Sequence, residues 1–253
     1  MFCSLLAIGV SPPVRVGFLL SRVRETSSRG AAYHIIISRI YICLVFQMMN
    51  RSQAMAHAFR FLHKSDTDGD YFEFGVYQGQ SLIHAYKVHK TNEVRTRHFF
   101  GFDSFEGLPK FEADDEMEGY DIFHEGQFAT SLSDVRDATR KSGADGRLVT
   151  FIPGFYDKTL GDPETEAIVG HSKAALVHID CDLYSSTVPC LKFMESRLVD
   201  GAIFMFDDWF CYRGRPDRGV RRAFEEWVPT VPYVFTDYCT YTWSGKMFIC
   251  NTK

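Results

Sequence analysis

The sequence has none of the cysteine patterns that mark a disulfide scaffold or a structural zinc site. Its seven cysteines are scattered along 253 residues and include no CxxC pair. An odd, dispersed set of thiols is typical of proteins from a reducing compartment. We therefore expect free cysteines and a cytoplasmic location.

An excess of basic charge is also missing. The 28 lysines and arginines are outnumbered by 32 acidic residues, which gives a net charge of -4. Surfaces that bind nucleic acid usually carry a basic field, so the composition argues against a nucleic-acid partner. Hydrophobic residues make up 45% of the chain and aromatic residues 15%, which is ample for a large packed core.

The first fifty residues contain no uninterrupted apolar run that could span a membrane. Residues 31–49 are mostly apolar, but Arg39 lies in the middle of the run. A charge there costs about 2.5–3.5 kcal/mol, so we expect no stable membrane span. We predict an N-terminal extension over 1–50. It is either an amphipathic helix, which covers the domain or makes the contact of a homo-oligomer, or a segment upstream of a natural start at Met48 or Met49.

Residues 51–253 show no internal repeat, no low-complexity segment and no second domain. Short apolar runs alternate with helical stretches, which predicts one α/β domain with a Rossmann-like, doubly wound, mostly parallel sheet and a C-terminal antiparallel strand. The runs lie at 70–75, 98–103, 147–153, 177–182 and 204–208, followed by an antiparallel pair within 233–250. A helix from Ser186 to Leu198 is expected between the fourth and fifth runs.

Two of these runs end abruptly on carboxylates. Asp180 and Asp182 lie at the end of the fourth run, and Asp207 and Asp208 lie at the end of the fifth. A right-handed crossover makes such strands parallel, so both clusters should lie at the carboxyl edge of the sheet, where α/β proteins bind ligands. Converging carboxylates repel one another unless a cation or a proton neutralises them, and oxygen ligands favour Mg²⁺, Ca²⁺ or Mn²⁺. The pattern predicts a metal-assisted active site.

A glycine turn follows the first run. Gly75 and Gly79 allow a tight turn, but the Gly-x-Gly-x-x-Gly pattern that receives a pyrophosphate is absent. Glu73 would repel phosphate and suits an amino group better. Asp103 ends the second run, where an acid can accept hydrogen bonds from ribose hydroxyls. An adenosine that carries an amino acid satisfies both requirements, which points to S-adenosylmethionine.

Three polar features outside these turns allow weaker predictions. The acidic stretch 112–126 lacks apolar periodicity, so we expect a mobile loop that closes over the site, with His124 as a second catalytic contact. His178 lies within a strand and is expected to be a satisfied core residue. Five arginines between 213 and 222 are interpreted as a solvated helix start rather than a lid or an acceptor contact.

Five stretches of the chain resemble, in the same order, motifs of the macrocin O-methyltransferase-like family. The strings Asp-Ser-Phe-x-Gly-Leu-Pro and Asp-x-Asp-Leu-Tyr-x-Ser-Thr are specific enough that chance agreement of both is improbable. The stretches are 73–79, 101–109, 153–160, 180–187 and 206–208.

The resemblance implies a class I methyltransferase that uses S-adenosylmethionine and Mg²⁺, usually to methylate a sugar hydroxyl of a natural product. By position, Asp180, Asp207 and Asp208 match metal ligands, and Asp180 also matches a general base. Cys181 stands where the family often has Gly, and a Trp is common at 155, so the acceptor stays open. The positions matched to the cofactor are Glu73, Gly75, Gly79, Ser81, Asp103, Ser104, Gly154 and Phe155.

The chemistry agrees with the resemblance. A sugar hydroxyl is a poor nucleophile at neutral pH; a metal lowers its pKa and directs it, and a carboxylate takes its proton. A small-molecule acceptor, such as a glycoside, is the expected partner. Two other functions stay open: an NAD-type oxidoreductase, which the glycine pattern disfavours, and a non-catalytic cofactor-binding module, which the intact carboxylates disfavour.

Overall fold

The computed structural model describes residues 49–92, 96 and 98–253. The predicted extension, with its alternative interpretations, lies almost entirely outside the described residues. The described chain falls within a compact unit that runs from Met48 to Lys253. No helix in this part of the chain is long and apolar enough to cross a membrane.

The centre of the molecule is one seven-stranded sheet. The strands are β1 Asp70–Phe74, β2 Phe99–Asp103, β3 Val149–Pro153, β4 Ala174–Ile179, β5 Leu198–Phe206, β6 Tyr233–Tyr241 and β7 Gly245–Thr252. Their order is β3-β2-β1-β4-β5-β7-β6. Strands β1 to β5 are parallel, and β7 runs antiparallel to both β5 and β6. The predicted doubly wound sheet with an antiparallel C-terminal strand is confirmed.

Helices cover both faces of this sheet. They are α1 Arg51–Lys64, α2 Gln80–Asn92, α3 Leu132–Lys141, α4 Tyr156–Thr159, α5 Pro163–Val169, α6 Tyr184–Met194 and α7 Gly219–Trp227. Tyr71 and Phe99 pack against α1 and α2, whereas Phe72 and Phe100 belong to the core beneath α6 and α7. Because both faces are covered, the central strands are apolar throughout instead of alternating.

The boundary between α6 and β5 differs from the prediction. The helix ends at Met194 and the strand already begins at Leu198, so the Asp200-Gly201 pair lies inside a strand. The pairing of β5 with β4 is irregular here, since Ala174 faces Leu198 while Leu176 faces Ile203. Turn-forming residues therefore mark a bulge in this strand rather than a loop before it.

The order of the strands reverses between β1 and β4. At this point the turn after β1 touches the end of β4, because the Asp180 amide donates to the Phe74 carbonyl at 2.8 Å. Gly75 has a φ of +94°, and a Cβ there would lie 1.7 Å from the Asp180 carbonyl oxygen. Only glycine fits, which explains why the first motif turns where it does.

We expect Gly75→Ala to lower the free energy of unfolding by about 3 kcal/mol or more, because it adds both a forbidden backbone conformation and a backbone clash. Urea denaturation measures this. Gly146→Ala is the matched control, since a Cβ there meets nothing within 4 Å. Wild-type stability of Gly75→Ala would show that the two turns are not in contact.

Candidate active site

A cavity of about 740 Å³ runs along the carboxyl edge of the sheet. This volume lies within the range of small-molecule sites, about 300–1,000 Å³. In sheet order its wall contains Asp103 at the end of β2, Gly75 after β1, Asp180 after β4, Asp208 after β5 and Trp243 in the hairpin between β6 and β7. Neighbouring strands are about 4.8 Å apart, so the ends of β2 and β5 lie roughly 14 Å from each other. We call the end at Asp103 the nucleotide end, after the ligand that the sequence predicts there, and the end at Asp180 and Asp208 the carboxylate end.

Asp103 anchors the nucleotide end. Its Oδ2 accepts hydrogen bonds from the amides of Val76 at 2.7 Å and Tyr77 at 2.8 Å, and its Oδ1 accepts from the Phe105 amide at 2.7 Å. A carboxylate offers about four acceptor sites, so roughly one remains for a ligand. The predicted ribose acceptor is thus also the residue that fixes the glycine turn.

Five of the eight positions matched to the cofactor line the cavity. They are Gly75, Ser81, Asp103, Ser104 and Phe155. Ser104 is held in its turn, because its hydroxyl donates to the Gly107 carbonyl at 2.8 Å. The motif after β2 therefore presents a rigid wall to a ligand.

Glu73 corrects one expectation. Its side chain is fully buried and lies behind the cavity wall, not in it. The hydroxyls of Tyr71 and Ser81 donate to its two oxygens, each at 2.5 Å. In this geometry Glu73 would therefore act on a ligand through Ser81, and a direct contact with the cofactor stays a prediction.

Gly79 and Gly154 also lie outside the cavity lining. A Cβ at Gly79 would sit 3.0 Å from the Val135 side chain. The Gly154 amide donates to the Asp103 carbonyl at 2.9 Å. Both glycines allow close packing of the turns that support the wall, which is why a motif comparison groups them with contact residues.

His124 does not reach the cavity, although its neighbours Phe123 and Glu125 do. The Gln127 amide donates to the His124 carbonyl at 3.1 Å, and Gln127 Oε1 accepts from the His124 amide at 3.0 Å. This tight turn leaves the imidazole exposed, with Nδ1 3.3 Å from the Glu125 carbonyl oxygen. This geometry does not support a second catalytic contact at His124, which stays a prediction.

Residues of the acidic loop 112–126 line the cavity, and the loop has defined anchors; its closure over the site stays a prediction. The buried carboxylate of Asp115 accepts from the amide and the hydroxyl of Ser185 at 2.9 and 2.7 Å. Ile122 and Phe123 of the same loop line the cavity. The loop is therefore attached to the start of α6, directly after the carboxylates of β4.

Two of the five arginines hold the same loop. Arg222 donates to Asp114 at 2.7 Å, and Arg213 donates to the Gly119 carbonyl at 2.5 Å. Arg215 instead pairs with Asp217 beside it on the exposed surface. The solvated-helix interpretation is right for Arg215 and wrong for Arg213 and Arg222, because a charge pattern does not show which distant acid a long side chain meets.

The predicted metal ligands converge at the carboxylate end. Asp180 and Asp208 line the cavity, and Asp207 is buried beside them. The Arg51 guanidinium bridges two of them, with Nη1 3.2 Å from Asp180 Oδ2 and Nη2 on Asp207 Oδ2. Burial and repulsion from Asp207 raise the pKa of Asp180, and the same two causes raise the pKa of Asp208 to about 6.

His178 lies in the core beneath this cluster. Its Nε2 is 3.2 Å from Asp207 Oδ1, and its Nδ1 is 3.3 Å from the Tyr71 hydroxyl and 3.9 Å from Glu73 Oε2. Burial alone lowers the pKa of His178, but Asp207 and Glu73 outweigh it and raise the pKa to about 10. The ring is then an imidazolium, which donates from both nitrogens and does not ligate a metal. The prediction of a satisfied core histidine is confirmed.

The carboxylate end fits a hard divalent cation. Ligand atoms of His178, Asp180 and Asp207 lie within 4.8 Å of one another. Among the described residues, the buried Oδ2 of Asp208 has no hydrogen-bond partner. Since the imidazolium is excluded, Asp180 and Asp207 would hold the ion, and the unpaired Asp208 is the candidate for a third oxygen ligand. Oxygen donors suit Mg²⁺, Ca²⁺ or Mn²⁺.

Sequence reasoning missed Arg51, Tyr241 and Trp243. The Tyr241 hydroxyl donates to Asp207 Oδ1, and Trp243 stands 66% exposed at the cavity rim. A tryptophan beside the predicted Ser244-Gly245 turn was an available signal for a binding surface. For Arg51 the sequence held no such signal, because nothing in a helix start shows that its side chain reaches two distant strands.

The stability of the protein should depend on the charge of His178. Because the folded pKa of about 10 exceeds the unfolded value of 6.5, the contribution is complete below pH 6.5 and disappears as the pH rises through 10. The difference in unfolding free energy between wild type and His178→Gln should therefore shrink between pH 6.5 and 10 in urea titrations. His171→Gln, at an exposed position, is the control. A constant difference for His178→Gln would contradict the charged imidazole.

Comparisons with known proteins agree with this geometry. The sequence profile of the family described as macrocin-O-methyltransferase (TylF) matches residues 44–228. The 8-demethyl-8-(2,3-dimethoxy-alpha-L-rhamnosyl)-tetracenomycin-C 4'-O-methyltransferase of Streptomyces olivaceus is 32% identical over 146 residues, which cover 56% of this chain and 53% of that protein. The mycinamicin III 3''-O-methyltransferase of Micromonospora griseorubida is 28% identical over 166 residues, 64% of this chain and 63% of that protein.

The chain thus spans little more than half of the length of these curated relatives. Among solved structures, the calicheamicin methyltransferase CalS11 superposes with a TM-score of 0.63 at 19% identity, over 96% of this chain and 94% of that one. At this identity the likeness shows the fold alone. The match to the family profile shows more than the fold, because it covers most of the sequence and every motif discussed above. The chain belongs to the macrocin O-methyltransferase family.

Proposed function

We propose that this protein is an S-adenosylmethionine-dependent O-methyltransferase that uses Mg²⁺ to methylate a hydroxyl of a small sugar-containing acceptor. The observation that carries the proposal is that Asp180 and Asp208 line the same cavity as the turns after β1 and β2, while Asp207 is buried beside them and joined to Asp180 by Arg51. The names of the relatives, which methylate sugar-linked natural products, support the acceptor class. Family membership also disfavours the NAD-type oxidoreductase.

The cofactor would occupy the nucleotide end. Phe155 and Leu108 offer apolar surface for a base, and Asp103 retains an acceptor site for a hydroxyl. Ser81, oriented by Glu73, is a polar group near the start of α2. When bound, S-adenosylmethionine supplies an activated methyl group, so the protein mainly has to align the acceptor and exclude water.

Asp180 is the proposed proton acceptor. It lines the cavity at the carboxylate end, and burial together with repulsion from Asp207 raises its pKa, so it holds a proton more readily than an ordinary carboxylate does. A divalent cation held by Asp180, Asp207 and Asp208 would supply the positive charge that lowers the pKa of the acceptor hydroxyl. The loop 112–126 covers this end and limits the access of water.

The acceptor would lie at the carboxylate end, against the outer wall of the cavity. Trp243 and Ile122 expose large apolar surfaces there, 66% and 46% of each residue. A sugar ring or the scaffold attached to it can pack on such surfaces, whereas a small polar molecule gains little from them. Acceptors with an apolar scaffold are therefore favoured.

A cytoplasmic location remains part of the proposal. The described cysteines at 181, 190, 211, 239 and 250 are all free. Four of these five thiols are buried, as expected for structural residues of a protein that folds under reducing conditions. The oligomeric state stays open, because the predicted dimer contact involves the extension.

Asp180→Asn should abolish turnover while leaving cofactor binding intact. We expect methyl transfer to fall by about 10²–10⁴-fold, the usual contribution of a general base, and more if the metal is also lost. The assay is transfer to 2,3-dimethoxyrhamnosyl tetracenomycin and related glycosides, beside calorimetric titration of S-adenosylhomocysteine with and without Mg²⁺. Asp157→Asn, an exposed carboxylate on the same wall, is the control. Full activity of Asp180→Asn, or a folded wild type that does not bind S-adenosylhomocysteine, would sink the proposal.

Trp243→Ala should raise the KM for the acceptor about tenfold, because it removes the exposed ring at the carboxylate end, and should not change the Kd of S-adenosylhomocysteine. Steady-state kinetics with the same glycosides and calorimetry separate the two effects. Ile168→Ala removes another exposed apolar side chain, from α5 and outside the cavity lining, and should change neither constant. Weaker binding of S-adenosylhomocysteine with an unchanged acceptor KM would show that Trp243 lies at the nucleotide end and would contradict the prediction.

A further inference from the structure

Arg51 holds a position that the metal chemistry does not explain. It is the first residue of α1, and the preceding Asn50 caps the helix by a reciprocal pair of hydrogen bonds with Gln53 at 2.9 and 3.0 Å. The Met49 carbonyl accepts from the Thr242 amide at 2.7 Å, which fixes the backbone to the β6–β7 hairpin. From this fixed point the side chain, 46% exposed, reaches Asp180 and Asp207.

Within the described residues, Arg51 is the only arginine or lysine that pairs with these carboxylates. Its guanidinium takes Asp207 Oδ2, while His178 and Tyr241 occupy Asp207 Oδ1. No oxygen of Asp207 is then without a partner. Asp180 Oδ2 is also engaged, whereas the buried Oδ2 of Asp208 is free.

A divalent cation bound between Asp180 and Asp207 would compete with the guanidinium, which already occupies Oδ2 of both residues. Two cations at contact distance would also repel each other strongly in a buried site. We propose that Arg51 is the counter-ion of the carboxylate site in the metal-free protein, and that a divalent cation binds only when the Arg51 side chain leaves. Arg51 thereby sets the affinity for the metal. The inference rests on the metal site of the proposed function but not on methyl transfer.

The surroundings of Arg51 make its departure feasible. The side chain is long and half-exposed, so it can turn to solvent while the capped backbone of α1 stays in place. A cation at a helix N-terminus is disfavoured by the helix dipole, and the first turn of α1 contains no acidic residue to offset this. The carboxylates therefore hold the Arg51 side chain inward. A cation that binds these carboxylates more strongly would release it.

The test measures Mn²⁺ binding to the full chain, without cofactor or acceptor, by electron paramagnetic resonance. Arg51→Gln should bind Mn²⁺ about tenfold more tightly than wild type, because the competing cation is gone. Arg51→Lys keeps the charge but cannot bridge two carboxylates, so its affinity should lie between these two. Arg60→Gln removes an exposed arginine from the same helix and should bind as wild type does.

Thermal melting gives a second readout. Without metal, Arg51→Gln should melt below wild type, since its carboxylates lack a counter-ion. Excess Mg²⁺ should raise its Tm more than that of wild type. If Arg51→Gln does not fold, Arg51→Lys carries the test by the same two measurements.

Unchanged or weaker Mn²⁺ binding in Arg51→Gln overturns the inference, because Arg51 would then not compete with the ion. An absence of Mn²⁺ binding from wild type and variant alike also overturns it and makes Arg51 the permanent cation of the site. Titration of wild type with S-adenosylhomocysteine separates this failure from that of the proposed function. If the wild type binds the cofactor but no metal, the methyltransferase proposal stands and Arg51 takes the place of the metal.

Discussion

Repulsion among three carboxylates at the ends of β4 and β5 is the constraint on which the site depends. Burial removes the water that would screen Asp180, Asp207 and Asp208, and Asp180 and Asp207 have partners from elsewhere in the fold that offset their charge. The partners come from different layers: His178 from within the sheet, Tyr241 from β6 and Arg51 from α1. Residues near both ends of the described chain therefore contact this one charge cluster at the central strands.

Much of the fold could be predicted from the sequence, because its signals are local. Apolar runs of strand length gave the parallel sheet, and carboxylates after two of them located the acidic edge. The contact partners could not be predicted in the same way. Glu73 turned from a ligand contact into a buried support for Ser81, because one residue of strand register decides which face a side chain takes. Arg51 depends on where a helix start meets two distant strands, and no local pattern encodes that meeting.

The acidic loop shows a second limit of composition. Residues 112–126 have the polarity of a disordered segment, yet Asp114 and Asp115 pair with Arg222 and Ser185. Two features that look unremarkable separately, an acidic loop and a basic helix start, form one structure when the fold brings them together. Charged contacts hold the margin of the loop, and Ile122 and Phe123 of the loop line the cavity.

The linear order of turns along the sheet edge has an evolutionary consequence. The nucleotide end is built from β1 and β2, in the middle of the sheet, where any insertion would disturb strands on both sides. Trp243 lies instead in a hairpin next to the sheet margin, where β6 has a neighbour on one side only. The side chain at this position can change without shifting the register of the parallel strands, whereas a change in hairpin length would move Thr242, which holds Met49. Selection can thus alter the outer wall of the cavity while its nucleotide end is inherited intact.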